Sequence, residues 1–481
     1  NYRLANDIDY HGAEFKPVKG LFTGSVDGAG HTVRNFTLNG NAMFSTAGSA
    51  SKPLGTFFKD ITLRNITATD ARAILTENAY AAEFDKVNII NVTVSGGNTD
   101  NFGNIAGNAA VGCVISNSAV KADIDLPQAD GVGGIVATLG NDSKITATSF
   151  NGSISASSTV GGIAADGFAS ASISDCHVTA AIHAGHTAGG VIGSSARSAI
   201  TRCFVEGTIT ADTPRMMWSD YAGTSVACIN VGGIAGILNS APVEYDDNGN
   251  PKVPDPNLPP VISKCVVGLE AINIPSDNEK LIETAHRIVG RSSVNNDPAY
   301  PGDEYDEDLG DWVITWGDPS PAEDKLADNY VIEGLQPLHS AVEAGHNTTE
   351  GKTVAYDNLD RDFFETLGFG FMGYSKEEPW VMRGTNLPAL YFEGTVGQYM
   401  EFVPGSVSAI IGNNPEVLLV LEDIDFESLV FESSDESGCY ANPIEIVDNG
   451  VKVEIVVTAT GDYTITATNG NISALLLVSG L

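Results

Sequence analysis

The sequence has few positive charges: 25 Lys and Arg residues stand against 61 Asp and Glu residues, which gives a formal net charge of −36. A chain this acidic repels nucleic-acid phosphates and anionic lipid headgroups, so nucleic acid is excluded as an expected partner. No apolar run approaches the roughly 20 residues of a membrane-spanning helix, and no basic segment followed by an apolar one opens the chain. Outer-membrane association would therefore need an anchor that these residues do not supply.

The sequence also lacks the consensus of leucine-rich repeats and the 3.6-residue periodicity of helical repeats. Charged residues make up only 18% of the chain, whereas glycine is frequent, with 52 residues. Thr, Ser, Val, Ile and Asn crowd the repeated segments, a composition that favours strands and tight turns. Because 481 residues exceed one ordinary hydrophobic core, we expect several domains or a solenoid, with an all-β architecture.

A repeat appears when the chain is aligned on nine anchor positions, the first seven of which lie 26–30 residues apart. The anchors are Asn35, Asn65, Asn91, Asn117, Ala147, Asp175, Arg202, Lys264 and Asn329. Apolar columns recur two residues before the anchor and one and three residues after it. Because the columns on either side are an odd number of residues apart, the alternation of a flat strand breaks and the chain must bend there. The anchor side chains are expected to face solvent.

A glycine pair followed by an apolar strand marks the second half of each coil. It reads VGGIVA at Val132, VGGIAA at Val160, AGGVIG at Ala188 and VGGIAGI at Val231, and RIVG at Arg287 takes the same place. Glycine permits a corner with positive φ or the close approach of a neighbouring backbone. Coils of about 28 residues with two or three short strands predict an all-β fold, a right-handed parallel β-helix of nine coils.

Several longer segments resemble the GLUG-motif repeat proteins. They are the opening YRLANDIDYHGAEFKPV, the following LFTGSVDGAGHTVRNFTL, the glycine-pair strands, AHRIVG, and the closing FFETLGF and PWVMRGTNLPALYF. The resemblance covers most of residues 1–395, although GIVA, GIAA or GIAG replaces the literal GLUG tetrapeptide. That family occurs in adhesin-like surface proteins of Gram-negative bacteria and beside IgA-protease-type proteins. It implies a β-helix and exposure on the cell surface, and it implies no reaction.

The repeat fades between Gln336 and Phe392, where Asp360–Leu367 predicts a short helix with a carboxylate at its N-terminus. We expect this stretch to cap the rod, because unpaired strand edges attract other chains. The β-helix thus occupies residues 1–395. Residues 396–481 hold short alternating strands, which predict a small immunoglobulin-like β-sandwich. The phrase TATGDYTITATNG resembles bacterial immunoglobulin-like domains, in which a tyrosine such as Tyr463 packs at a sheet corner.

Three of the six cysteines fall in one inward column on successive coils, namely Cys176, Cys203 and Cys265. Buried free thiols acting as small apolar residues are favoured, and a disulfide between the first two is the alternative. Three histidines also lie close in sequence, namely His177, His183 and His186. Because neighbouring strand residues face opposite ways, the first of them should point out, away from the thiols. We therefore expect surface histidines and no metal site.

The period breaks after Arg202, where insertions lie near Thr213–Ala227, Ser240–Pro260 and Ser292–Lys325. Exposed loop aromatics often contact sugar rings or partner proteins, and we predict four such ligand contacts: Trp218, Tyr221, Trp312 and Trp316. The alternative is that these rings fold back over the rod. No cofactor is expected. The acidic runs Asp246–Asp247 and Asp303–Asp308 are candidate Ca²⁺ ligands, but neither has the spacing of a calcium loop.

Together these features favour a non-catalytic adhesin or ligand-binding protein on the outer surface of a Gram-negative bacterium or secreted from it. Its expected partner is a glycan or a host or surface protein. The alternative is a carbohydrate-active β-helix enzyme, a polysaccharide lyase or hydrolase, or an accessory module of one. Such enzymes carry acidic, His and Arg or Lys residues on a few adjacent coils, whereas the outward columns here hold mostly Ser, Thr, Asn and Ala. The sequence defines no oligomeric state.

Overall fold

The structure is a computed structural model that describes most of the chain as two compact units, Asn1–Phe392 and Glu393–Leu481. The residues described are 1–51, 55–97, 99–168, 170–196, 198–219, 224–239, 261–275, 285–292, 302–306, 311–315, 326–337, 345, 347–373, 375–383, 387–394, 398–422, 424–447, 450–470 and 473–481. For 215–219, 224–228, 239, 292, 302–306, 311–315, 399 and 422 it describes the backbone alone.

The first unit is a parallel β-helix built from three sheets, which confirms the predicted fold class. Sheet A contains Tyr2–Arg3, Ile8–Asp9, Ser25–Asp27, Thr32–Asn39, Thr56–Thr69, Ala82–Ser95, Val114–Leu126, Lys144–Ala156, Ser172–Ser174, His177–Ala184, Ala199–Thr201, Phe204–Ala211, Ile262–Ser263, Val266–Asn273, Leu326–Ala327, Tyr330–Ile332 and Lys352–Val354. Sheet B contains Val18–Phe22, Phe44–Gly48, Thr76–Tyr80, Ala106–Val111, Val136–Asn141, Ala164–Gly167, Ile192–Ala196, Ala235–Asn239 and Val289–Ser292. Sheet C contains Asn101–Gly103, Gly131–Gly133, Thr159–Gly161, Thr187–Gly189, Asn230–Gly232 and Ala285–His286.

Sheet C begins later along the rod than sheet B. Sheet B has nine strands and sheet C has six, so within the described residues the first three coils have no strand in sheet C. From Asn101 onward each coil places one strand in sheet C and the next in sheet B, with the strand of the following coil directly beside it in register. One continuous apolar core, from Val33 to Leu335, fills the space between the three sheets.

The chain bends at the anchors because these residues adopt the left-handed backbone conformation. A φ angle of 46–59° occurs at eight predicted anchors: Asn35, Asn65, Asn91, Asn117, Ala147, Asp175, Arg202 and Lys264. The predicted bend is thereby confirmed. In the last coil the bend lies at Asp328, with φ of 57°, so the predicted anchor Asn329 is wrong by one residue. Asn329 is instead buried, and its Nδ2 donates to the carbonyl oxygen of Ile262 at 3.1 Å.

Asparagines at the first anchors form a ladder along the outer face of sheet A. Asn65 Nδ2 donates to Asn35 Oδ1 at 3.1 Å, and Asn91 Nδ2 donates to Asn65 Oδ1 at 3.4 Å. The ladder begins at Asp9, whose two carboxylate oxygens accept from Asn35 Nδ2 at 3.0 and 2.9 Å. Asparagine suits this position because it tolerates the left-handed conformation better than most residues and its amide bonds the next coil.

The column cysteines are free and fully buried, as the favoured interpretation of the sequence predicted. The Sγ atoms of Cys176, Cys203 and Cys265 each donate to the carbonyl oxygen two residues back, at 3.2–3.6 Å. Ser118 and Thr148 hold the same column on the two preceding coils, and their hydroxyls donate in the same way at 2.7 and 2.9 Å. The column is thus a ladder of small donors that bond the backbone next to each bend.

The segment after the last coil, Leu359–Phe392, runs back along the outer face of sheet A, and we call it the strap. It begins with the helix Arg361–Thr366, preceded by a short 3₁₀ turn at Tyr356–Asn358. Asp360 caps the helix by accepting from the backbone N–H of Phe363 at 2.8 Å, which confirms the predicted helix and its carboxylate. The strap also contains the antiparallel strands Trp380–Met382 and Pro388–Leu390.

The strap crosses several coils from the end of the rod toward its start. Phe363 packs edge-on against Tyr330 of the last coil, with ring centroids 5.2 Å apart, and Phe364 packs against Phe204 at 6.2 Å. Further back, Trp380 is fully buried, and its Nε1 donates to Asp175 Oδ1 at 3.2 Å. The stretch predicted to cap the terminal coil therefore also covers one flank of the rod.

The expectation that the anchors face solvent is wrong at Ala147, which is fully buried, and at Asp175, which the strap covers. This carboxylate is 3% exposed and accepts two hydrogen bonds from Arg202, from Nε at 2.8 Å and from Nη2 at 2.6 Å. The carboxylate of Asp175 raises the pKa of Arg202 above its ordinary value by this hydrogen bonding and by its charge. The strap indole supplies the third donor.

Replacing Asp175 with alanine should therefore destabilise the rod rather than be silent. The substitution leaves the Trp380 indole N–H buried without its acceptor and removes the partner of Arg202, which costs about 1–3 kcal/mol. Urea unfolding followed by circular dichroism measures this loss. Asp125→Ala, at an exposed position on sheet A, is the control and should change stability by less than about 0.5 kcal/mol. Equal effects of the two substitutions would contradict the covering role of the strap.

The last coil with strands in sheets C and B replaces the glycine pair with two buried residues, His286 and Arg287. Arg287 follows His286 at the position that Gly233 holds one coil earlier. The Arg287 side chain is 1% exposed, and its Nε donates to the carboxylate of Glu350 at 3.0 Å. His286 Nδ1 lies 2.8 Å from the other carboxylate oxygen of Glu350. Burial lowers the pKa of Arg287, although the charge of Glu350 opposes that shift.

The second unit is a β-sandwich of two four-stranded sheets. One sheet contains, in order, Tyr399–Val403, Glu416–Glu422, Gly450–Val457 and Cys439–Val447, and the other contains Ser406–Ala409, Ser473–Gly480, Gly461–Thr468 and Val430–Ser433. A short 3₁₀ turn spans Phe426–Ser428. Tyr463 is 8% exposed and its hydroxyl donates to the carbonyl oxygen of Ala459 at 3.0 Å, so the predicted corner tyrosine is confirmed.

Candidate functional site

The first glycine of each pair allows sheets C and B to meet at a sharp corner. A Cβ atom added to Gly161 would lie 1.9 Å from the carbonyl oxygen of Ala164, and one added to Gly189 would lie 1.9 Å from that of Ile192. Both distances are far below van der Waals contact, so only glycine fits. The corner brings the residues that precede sheet C close to the outward side chains of sheet B.

A polar groove lies along this corner and consists of two adjoining clefts of about 540 Å³ each. The first is lined by Arg72, Glu77, Asn78, Asp100, Asn101, Gly107, Asn108, Ala110, Thr138, Gly140, Asn141 and Phe168. The second is lined by Asn101, Asp130, Ser157, Ser158, Thr159, Asp166 and His186. Asn101 lines both clefts, and we call the two together the polar groove.

The floor of the polar groove on sheet B is a row of polar side chains, one per coil. Asn78, Asn108, Thr138 and Asp166 are register partners on successive strands. Asn108 Nδ2 and Asn78 Oδ1 are 3.5 Å apart. Because neighbouring parallel strands lie about 4.8 Å apart, the row offers a hydrogen-bonding group at that interval along the rod axis.

Carboxylates line the groove on four successive coils. Glu77 lies in one sheet B strand, Asp100 and Asp130 precede the next two strands of sheet C, and Asp166 lies in the sheet B strand of the coil after that. Arg72 is the one Lys or Arg among the described lining residues, and its Nη2 lies 3.6 Å from Asp100 Oδ2. The groove is therefore strongly negative, like the chain as a whole.

Asp166 differs from Asp100 and Asp130 in its surroundings. It is half-buried, whereas Asp100 and Asp130 are exposed. Burial raises the pKa of Asp166 above its ordinary value of 3.8. Among the described residues no cation lies within ion-pair distance of this carboxylate, so nothing there offsets the cost of removing its charge from water.

One end of the polar groove carries a histidine held by hydroxyl groups. His186 Nε2 lies 2.9 Å from Ser158 Oγ, and His186 Nδ1 lies 2.9 Å from Thr187 Oγ1. These contacts fix the orientation of the imidazole ring on the coil that follows Ser158. Phe168 lines the first cleft and presents an exposed ring, with 49% of the residue accessible. The groove thus combines carboxylates, amides, hydroxyls, an imidazole and one aromatic ring.

The polar groove was not predicted from the sequence, because only the outward-facing positions of the strands were compared between coils. Asp100 and Asp130 belong to the turns before sheet C, and their alignment depends on the pairing of Asn101 with Gly131. Two signals were present in the sequence. An Asp precedes the sheet C strand in two consecutive coils, and the position that becomes Asp166 follows the glycine pair at a fixed distance.

The aromatic residues predicted as ligand contacts cannot be placed in the groove. Tyr221 and Trp316 lie outside the described residues. Trp218 lies on the hairpin formed by Arg215–Ser219 and Thr224–Cys228, where it pairs with Ser225. Trp312 lies on a second hairpin, Gly302–Asp306 with Asp311–Thr315, where it pairs with Tyr305. The orientation of these two side chains lies outside what the structure describes, and their role stays a prediction.

The three clustered histidines have different environments. The expectation that His177 faces solvent is wrong: it is 2% exposed beneath the strap, and its Nε2 lies 2.9 Å from Glu206 Oε2 and 3.1 Å from Arg383 Nη2. His183 is at the surface, 3.0 Å from Asp212, and His186 lines the groove. Within the described residues, no group of three or more His, Cys, Asp or Glu side chains is arranged to hold a metal ion. Asp246–Asp247 lies outside that part of the chain.

Compared with known proteins, the chain matches no family model, no curated protein and no solved structure. The resemblance to GLUG-motif proteins therefore depends on the sequence segments alone. In the part of the chain that the structure describes, no helix is both long and apolar enough to span a bilayer.

Proposed function

We propose that this protein is a non-catalytic ligand-binding protein that holds a glycan chain along the polar groove. The observation that carries the proposal is the row Asn78, Asn108, Thr138 and Asp166, which repeats a polar group once per coil beside two clefts of about 540 Å³ each. The interval of about 4.8 Å is close to the length of one sugar residue in an extended glycan. A repeating ligand can then make the same contact on each coil.

The chemistry of the lining supports a sugar ligand. Amides and hydroxyls both donate and accept hydrogen bonds, as sugar hydroxyls do. Phe168 adds an exposed ring at the groove, and aromatic faces commonly pack against the apolar face of a sugar ring.

Phe168→Ala and Asn108→Ala should each weaken binding of the best oligosaccharide found on a printed glycan array. We expect a loss of roughly tenfold in Kd for each variant, equivalent to about 1.4 kcal/mol, because a ring contact or a bidentate amide is removed. Isothermal titration calorimetry measures the affinity, and thermal unfolding checks that the fold is intact. Tyr440→Ala removes an equally exposed ring, 43% accessible, from the second unit and should bind normally.

Two results would contradict the proposal. One is an array without any bound glycan. The other is a bound glycan whose affinity is unaffected by both groove variants but is lost in Trp218→Ala or Trp312→Ala, which would place the site on the inserted hairpins instead. In the latter case the ligand-binding class would stand and its location would change.

The cellular setting follows from the resemblance rather than from the groove. The GLUG-like segments support a protein displayed on the outer surface of a Gram-negative bacterium or secreted from it, acting as an adhesin toward a glycan or a host protein. Whole-cell labelling with an antibody raised against the rod tests this placement: protease added to intact cells should remove the signal.

A carbohydrate-active enzyme is the second candidate function, and Asp166 is the observation that favours it. A half-buried carboxyl whose pKa is raised suits a general acid, and a second carboxylate, Asp130, lines the same cleft. If the groove is catalytic, the purified chain should release reducing sugar from the bound glycan, and Asp166→Asn should abolish that release.

A further inference from the structure

We infer that the glycan bound in the polar groove is one whose sugars carry free amino groups, a cationic amino-sugar polymer. This inference rests on the proposed function. The fold and the row of polar side chains on sheet B do not determine which class of sugar binds, whereas the charge of the groove does.

The polar groove carries a net negative charge. Four carboxylates line the polar groove, on Glu77, Asp100, Asp130 and Asp166, against the single guanidinium of Arg72. A uronic-acid polymer would place further carboxylates beside them and would be repelled. A neutral glycan would leave the carboxylates unpaired as it displaced their water. A polymer of ammonium groups instead gains ion pairs at the carboxylates that Arg72 does not neutralise.

The spacing of two of these carboxylates points to the same ligand. Asp100 and Asp130 directly precede the register partners Asn101 and Gly131, so their backbones are about one strand spacing of 4.8 Å apart along the rod. In a polymer of amino sugars one ammonium recurs with every sugar residue. The interval between the fixed negative charges therefore matches the interval between the ammonium groups of such a polymer. In the same way, the interval between the polar side chains of sheet B matches the length of one sugar ring.

The environment of Asp166 also favours a cationic ligand. Its carboxylate lines the second cleft, is half-buried, and has no ion-pair partner among the described residues. His186, which lines the same cleft, is bonded to the hydroxyls of Ser158 and Thr187. An ammonium group in the cleft would supply the missing counter-charge and would favour the ionised form of Asp166.

Binding of three hexasaccharides to the full chain tests the inference: glucosamine, N-acetylglucosamine and galacturonic acid oligomers of equal length. We expect the glucosamine hexamer to bind at least tenfold more tightly than its acetylated counterpart, and the galacturonate hexamer to give no measurable binding. Raising the salt concentration should weaken only the glucosamine complex, because screening acts on its ion pairs.

Variants assign the charge effect to the groove. Asp130→Asn and Asp166→Asn keep the size of the side chain and should each weaken glucosamine binding at least tenfold while leaving the weak binding of the acetylated hexamer unchanged. Asp125→Asn removes an exposed carboxylate of sheet A away from the groove and should have no effect, which separates a local contact from the general attraction of an acidic protein.

The outcomes distinguish this inference from the proposed function. Equal affinity for the amino and acetylated hexamers, both weakened by Phe168→Ala, overturns the selection of amino sugars and leaves the groove a glycan site. Glucosamine binding that Asp130→Asn and Asp166→Asn do not change also overturns it. Failure of these hexamers and of every glycan on the array to bind overturns the proposed function itself.

Discussion

Val178→Asp is expected to lower the free energy of unfolding of the rod by at least about 4 kcal/mol. Val178 is fully buried, and it lies between register partners Phe150 and Val205 in the inward column three residues after the bend. An aspartate here places a charge in a continuous apolar core with no cation beside it. The group must either stay ionised without a partner or take up a proton, and both are costly.

Ala181→Asp provides the matched control for this substitution. Ala181 lies on the same strand, His177–Ala184, but its side chain is exposed, so the same charge meets water and should change stability by less than about 0.5 kcal/mol. Urea unfolding followed by circular dichroism compares the two variants. Similar midpoints would show that the inward column has been assigned incorrectly.

Glu350→Ala is expected to destabilise the rod by about 3–5 kcal/mol, because it removes the only carboxylate that the structure shows in contact with the buried Arg287. The guanidinium would keep its bonds to the carbonyl oxygens of Leu335 and Gly351 but would be left as a buried, uncompensated charge. Glu350→Gln retains the shape and one acceptor and should cost less than the alanine variant.

An exposed ion pair shows the effect of burial by contrast. Arg361 and Glu365 form an i,i+4 pair on the strap helix, with side chains 58% and 45% exposed. Glu365→Ala should cost only about 0.3–0.5 kcal/mol. Guanidinium chloride would screen such pairs, so urea is the appropriate denaturant for both. A loss at Glu350 no greater than that at Glu365 would contradict the structural role of the buried pair.

The sequence was sufficient to predict the coils because their signals are local. The bend columns and the glycine pairs depend on which residues fit a left-handed backbone or a corner, and those preferences act within a few residues. The register slipped by one only in the last coil, where Asn329 is polar and yet buried. The asparagine was assigned to an outward anchor because nothing near it in sequence indicates a buried partner. Its partner, the carbonyl oxygen of Ile262, lies far away in sequence.

The strap and the polar groove could not be predicted from the sequence, because the residues that form them are far apart along the chain. Asp175 and His177 have the alternation of solvent-facing positions, and nothing near them in sequence indicates that Trp380 and Arg383 cover them. The groove likewise joins turn residues of one sheet to strand residues of another. Its members become neighbours only through stacking, so a comparison made column by column does not bring them together.

The contact between Trp380 and Asp175 spans 205 positions of the chain, whereas most contacts of the rod join neighbouring coils. Pairings of long sequence separation form late, because the chain between them must first be ordered. The strap should therefore close after the coils have assembled, and substitutions in it should accelerate unfolding while hardly slowing folding. We therefore expect the strap to lengthen the lifetime of the assembled coils without speeding their assembly.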